Sequence, residues 1–84
     1  MDMTRVENEE AERIAMAAIW SDVLATPLVG LDDNFFALGG DSMALMTLLM
    51  RIEETYGVYL EQEAVFEAPT PRALSVIVQA QRAA

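Results

Sequence analysis

With 84 residues, 54% of them apolar, the chain can bury one layer of helix against helix and little more. Five Arg, no Lys and fourteen Asp plus Glu leave a net charge of −9, a field that repels nucleic acid and anionic membranes and draws basic protein surfaces. The absence of Cys and His removes disulfides, thiolate metal sites, the commonest metal ligand and Ser-His catalysis together.

The N-terminal residues Met1-Asp2-Met3 lack a basic region followed by an apolar one, so no signal peptide is expected. The dense apolar run Met43 to Met50 is too short to span a bilayer. A cytoplasmic monomer is the expectation, with the charge serving either partner attraction or solubility alone. Thr4-Arg5-Val6-Glu7 fits a capping box. The acids Glu7, Glu9, Glu10 and Glu12 suit the opening turns of a helix. Met16, Ile19, Trp20, Val23 and Leu24 then share one face, predicting a first helix from Arg5 to Leu24 with Trp20 in the core. Ile14 lies off that stripe. Thr26-Pro27 should end the helix, because a residue before proline is pushed out of the helical region.

Residues 25–41 make a long loop for so small a domain, and Leu28, Val29, Leu31, Phe35, Phe36 and Leu38 can pin it across the helices. A short helical turn is expected near Asp32 to Phe36. The second helix should run from Ser42 to Tyr56, with Leu45, Leu48, Leu49, Ile52 and Tyr56 facing the core and Gly57 as its left-handed cap. Glu61 to Glu67 can form a short helix burying Val65 and Phe66. Thr70 as cap and Pro71 at the first helical position open a last helix, with Leu74, Ile77 and Val78 inward, fading from Gln81 to Ala84. The expected fold is all-α: a small four-helix bundle of three main helices and one short one, with a long loop between the first two. One domain should span residues 1–84.

Two features exceed what folding needs. Ser42 sits where a helix opens, behind Gly39-Gly40-Asp41; taken alone, that is a cap and a turn. Met43, Met46 and Met50 form a second apolar stripe on the second helix, away from its core face. A helix apolar on two faces is either fully buried or has a partner, and this chain is too small to bury it. Methionine also suits surfaces that must fit several partners. The rival reading, core gap-filling, applies more to Met46 than to Met43. Asp32, Asp33 and Asp41 are clustered in sequence but lack companion residues for catalysis; capping is the expected role.

Together these stretches resemble phosphopantetheine-dependent carrier proteins, most closely the peptidyl and aryl carriers of nonribosomal peptide synthesis. The resemblance is carried by Ile19-Trp20 with Val23-Leu24 and by Asp33-Asn34-Phe35-Phe36 through Leu38-Gly39-Gly40-Asp41-Ser42. Arg51 with Tyr56-Gly57-Val58 and the stretch Val65-Phe66-Glu67-Ala68-Pro69-Thr70 complete it. It covers roughly Met16 to Leu74, and its specificity lies in the order and spacing of the four stretches.

The resemblance implies that Ser42 is esterified by 4′-phosphopantetheine from coenzyme A, with Gly39, Gly40 and Asp41 forming the approach to the arm. A phosphodiester there would lie at a helix N-terminus, and the glycines would leave the approach unhindered. With no His or Lys in the chain, activation of the serine falls to a phosphopantetheinyl transferase. The arm's thiol would carry an amino or acyl acid between an adenylating enzyme and condensing or tailoring enzymes, with Met43, Met46 and Met50 as the docking stripe. The carrier itself would be non-catalytic and would need no metal of its own.

Fatty-acid and polyketide carriers usually show Asp-Ser-Leu where this chain has Asp41-Ser42-Met43. Peptidyl carriers often have His before the serine, whereas Asp41 is similar to a subset paired with epimerising domains and to some aryl carriers. Start and end both read as complete, giving the expectation of a free-standing carrier, with a domain excised from a larger synthetase as the other reading. An acyl carrier of a polyketide or fatty-acid system, and a helical adaptor without an arm, are the alternatives.

Overall fold

Four helices, α1 (Met3–Leu24), α2 (Ser42–Tyr56), α3 (Gln62–Glu67) and α4 (Pro71–Ala83), follow one another without a strand among the described residues of the computed structural model. It describes the backbone of residues 3–83 and the side chains of residues 8–82. The all-α expectation and the order of three long helices and one short one hold. The capping box at Thr4 and Glu7 lies outside the described side chains.

α1 presents Met16, Ile19 and Trp20 to the core, with Val23 and Leu24 half-buried against it, as the stripe predicts. Its end is built differently from the proline argument. Ala25 takes a left-handed conformation (φ 52°), Thr26 N–H donates to Ser21 O at 3.1 Å, and Ala25 N–H donates to Asp22 O at 3.3 Å. These two bonds are the Schellman arrangement, which satisfies the last carbonyls one residue before Pro27 can act. Ile14, which belonged to no stripe, is exposed.

α2 buries Leu45, Leu48 and Ile52, and Gly57 ends it with its N–H on Glu53 O at 2.9 Å. α3 buries Val65 and Ala68 follows it inward, but Phe66 is exposed, against expectation. About 100° round the helix from Val65, the Phe66 ring stacks on Phe36 of the loop at 5.0 Å instead of entering the core. α4 opens as predicted: Thr70 Oγ1 accepts from Ala73 N–H at 3.1 Å, and Pro71 is buried at the first helical position. Leu74 and Val78 complete a single core drawn from all four helices. Fully burying a side chain of this class stabilises by about 1.5–3 kcal/mol.

Residues 25–41 form turns rather than the short helix expected near Asp32 to Phe36. Asn34 caps one isolated turn at this point: its Oδ1 accepts from the N–H groups of Phe36 and Ala37 at 2.9 and 3.1 Å, and its carbonyl from Leu38 N–H at 3.0 Å. The N–H groups of Gly39 and Gly40 then turn back to Phe36 O and Phe35 O and end it before a second turn forms. The loop is fastened to the α3–α4 junction. Phe35 N–H donates to Pro69 O at 2.8 Å and Arg72 N–H to Leu31 O at 3.0 Å. Phe35 is fully buried, whereas Leu28 is 86% exposed and pins nothing.

Candidate functional site

Ser42 is the first residue of α2 and is exposed, but it is not the cap. Asp41 is: it is extended, its Oδ1 accepts from Ala44 N–H at 2.9 Å, and its carbonyl accepts from Leu45 N–H at 2.9 Å. The first four N–H groups of a helix have no partner within it. Asp41 Oδ1 satisfies that of Ala44, and its carbonyl takes the first regular helical bond from Leu45, which leaves the N–H groups of Ser42 and Met43 without a partner in the helix. The Ser42 hydroxyl therefore does no capping. Of the three serines between residues 15 and 76, Ser75 is buried with its Oγ donating to Arg72 O, and Ser21 is half-buried within α1. Ser42 is the exposed one.

The diglycine before it does two separate jobs. Gly39 has φ +97°, in the left-handed region that disfavours any residue with a Cβ, although space around it is open. Gly40 is constrained from the inside: a Cβ there would overlap the Cδ2 and Cε2 atoms of the Phe35 ring and come within 2.7 Å of Phe35 O. An unhindered approach to Ser42 is thus not what Gly40 supplies. It lets the backbone lie flat on a buried ring.

That ring belongs to a ladder of aromatics running from the core to the surface. Trp20 meets Phe35 edge-on at 5.1 Å, Phe35 meets Phe36 edge-on at 5.4 Å, and Phe36 stacks on Phe66 at 5.0 Å with planes 4° apart. Such pairs contribute about 0.5–1.5 kcal/mol each beyond buried area. The turn leading to Ser42 is therefore positioned by α1, while the exposed Phe66 ties α3 to the same turn. Sequence reasoning missed Phe66 as a site residue because a lone Phe beside Val65 reads as core.

Beyond Ser42 along α2 come Met43, Met46 and Met50, which are 81%, 51% and 59% exposed. The second stripe faces solvent, and Met46 is not a core filler. Met46 and Met50 also edge a groove of about 390 Å³ between α2 and α3, floored by Leu49 and Leu60 and rimmed by Glu53, Glu61 and Glu63. Gln62 of α3 spans its mouth, with Nε2 3.5 Å from Met46 Sδ. Part of the −9 charge is therefore concentrated on the face that carries the apolar stripe.

The three clustered aspartates separate. Asp41 caps α2, and Asp33 Oδ2 accepts from Gly30 N–H at 2.8 Å to close a turn. Asp32 pairs with Arg72 at 2.9 Å, and the hydrogen bond from that guanidinium holds its carboxyl below the usual range. No group of His, Cys, Asp or Glu among the described residues is arranged to hold a metal ion.

Residues 15–76 match the family described as the phosphopantetheine attachment site. Surfactin synthase subunit 3 of Bacillus subtilis (strain 168) is 43% identical over 72 residues, covering 86% of this chain but only 6% of that protein. The chain thus spans a small fraction of the curated relatives it matches. Among solved structures, BlmI, a type-II acyl-carrier protein from Streptomyces verticillus involved in bleomycin biosynthesis, superposes with a TM-score of 0.86 at 28% identity. That match covers 93% of this chain and 94% of BlmI. A structure of the phosphopantetheine transferase Sfp with coenzyme A and a peptidyl carrier protein matches at 32% identity and a TM-score of 0.79, covering 82% of this chain and 90% of the matched one. With the sequence motif, the helical order and these likenesses in agreement, the chain belongs to the phosphopantetheine-attachment family, as a peptidyl carrier protein of the nonribosomal peptide type.

Proposed function

We propose that Ser42 is the attachment point of 4′-phosphopantetheine in this chain, and that residues 1–84 work as one non-catalytic carrier domain, a monomer of the cytoplasm. The observation that carries this reading is the exposed Ser42 hydroxyl at the first position of α2, beside two backbone N–H groups that the helix leaves free. Those groups and the helix dipole favour a phosphodiester on the serine oxygen. The absence of His and Lys supports an external base, so the chain is a substrate of the modifying enzyme rather than its own catalyst. When attached, the group supplies a terminal thiol that holds an acid as a thioester. This chain's own residues anchor and present it: Asp41 fixes the helix start, and Gly39 and Gly40 set the turn against Phe35. One core shared by all four helices supports the single domain, and no described helix is long and apolar enough to cross a membrane.

The partners in this reading are a phosphopantetheinyl transferase, an adenylating enzyme, and condensing or tailoring enzymes. A relative caught with a transferase and coenzyme A supports the first, and one joined to an adenylation domain with phenylalanyl-adenylate supports the second. Met43, Met46 and Met50 are the docking stripe, with the acidic groove rim meeting basic groups on the partner. The cargo is an aminoacyl group; since BlmI is an acyl-carrier protein, another acyl group is the second reading. Trapping the loaded form and identifying its acid separates the two.

The test is intact mass after incubation with coenzyme A and a promiscuous transferase. One arm per chain is expected, and none on Ser42→Ala, which should melt close to the parent because Ser42 caps nothing. Modification persisting in Ser42→Ala would falsify the assignment.

A further inference from the structure

We propose that Met43, Met46 and Met50 form a reversible oxidation site on the carrier, each thioether taking one oxygen atom from hydrogen peroxide, and that their sulfoxides suspend partner docking. The proposal rests on the docking stripe assigned above. With no cysteine in the chain, the six methionines hold all of its sulfur. The three in α2 recur at i, i+3 and i+7, so they share one face, and each is more than half exposed, whereas Met16 is completely buried. Peroxide is neutral, so the −9 charge does not repel it.

In the reaction a sulfur lone pair attacks one peroxide oxygen, an S–O bond forms and the O–O bond breaks. The other oxygen leaves as water after proton transfer. Sulfur loses two electrons and the peroxide gains them. Sulfoxide reductases, drawing on thiols, run the recovery. Oxidation turns a flexible apolar side chain into a polar one.

Position makes this a switch rather than damage. Leu45, Leu48 and Ile52 hold the core on the other side of α2, so sulfoxides on the methionine stripe leave the packing untouched. What changes is the outer face. Met46 Sδ, a weak acceptor 3.5 Å from Gln62 Nε2, becomes a strong sulfoxide acceptor at the mouth of the α2–α3 groove. A partner must then desolvate three polar groups where it had met apolar ones.

The test treats the purified carrier with hydrogen peroxide, removes the peroxide, maps the oxidised residues by peptide mass and records helicity. Arm attachment from coenzyme A by a phosphopantetheinyl transferase is then timed. The same protocol is run on Met43→Leu/Met46→Leu/Met50→Leu, with each protein's treated rate divided by its own untreated rate. We expect oxidation at the three α2 methionines before Met16, unchanged helicity and a roughly ten-fold slower attachment. The triple variant should keep its rate ratio near one, and sulfoxide reductase should restore the parent. Oxidation of Met16 at an equal rate, loss of helicity, or equal slowing of the triple variant, which retains Met1 and Met3, would each overturn the proposal. Full oxidation with no slowing overturns it alone if Met46→Glu still slows attachment, and overturns the docking stripe as well if Met46→Glu does not.

Discussion

Replacing Gly40 with Ala adds one methyl group at a point where the structure has nowhere to put it. The new Cβ would overlap the Phe35 ring and lie 2.7 Å from Phe35 O. The ring cannot swing aside, because it is fully buried between Trp20 at 5.1 Å and Phe36 at 5.4 Å. The carbonyl cannot retreat either, since it accepts from Gly40 N–H at 3.0 Å. Overpacking a rigid site costs about 1–3 kcal/mol, and these constraints put Gly40→Ala at about 3 kcal/mol. For a domain of this size that lowers Tm by roughly 12–24 °C. Gly39→Ala is the control: nothing lies within 4 Å of its Cβ, so it bears only the left-handed penalty of about 1–2 kcal/mol. Far-UV circular dichroism melts of both variants give the order, and a cycle with Phe35→Leu gives the cause. Gly40→Ala should cost markedly less in the Phe35→Leu background, as expected for residues in contact. If Gly40→Ala melts within about 3 °C of the parent, or the cycle shows no coupling, Phe35 does not set the turn before Ser42.

Met43→Glu and Met46→Glu should each change stability by no more than about 0.5 kcal/mol while slowing arm attachment and loading, whereas Leu48→Ala should cost about 2–5 kcal/mol by opening a cavity. Paired melts and loading rates decide, and equal unfolding by all three would make the stripe core. Ala25→Gly should stabilise by about 1 kcal/mol, because the Schellman position now holds a residue with a Cβ at φ 52°; an unchanged Tm would count against the strain. The Asp32–Arg72 pair depresses the Asp32 pKa in the folded state, so its contribution is present above the unfolded value near 3.8 and lost as pH falls through the lower folded value. Asp32→Asn should lower stability by a small constant amount above pH ~6 and merge with the parent's stability–pH curve in acid, below the folded value.

The three long helices were legible because each carries a core stripe at helical spacing and a local stop or start, such as Gly57 or Thr70-Pro71. The short helix was legible in extent but not in facing, since six residues give too few repeats to fix a face, and Phe66 was misplaced. The loop was hardest. Its register depends on Phe35 N–H reaching Pro69 O, a bond between residues 34 apart that no local pattern encodes. Ser42 stood out by motif, yet its role as the first helical residue and the role of Asp41 as cap depend on one side-chain hydrogen bond. The inward reason for Gly40 could be read only once Phe35 was seen beneath it.

The pairing of α1 with α4 governs the order in which this domain can come into being. α1 buries its apolar face against α2 and α4, and Glu12 meets Arg82 at 3.2 Å across 70 residues of sequence. During synthesis the first helix therefore leaves the ribosome with its Met16–Trp20 face uncovered; α2 can cover part of it, and the rest waits until the last helix emerges. Elongation at about 5–20 residues per second makes that interval several seconds. The acids Glu9, Glu10 and Glu12 on the same helix give that waiting segment a negative charge, which opposes its association with other acidic copies of itself.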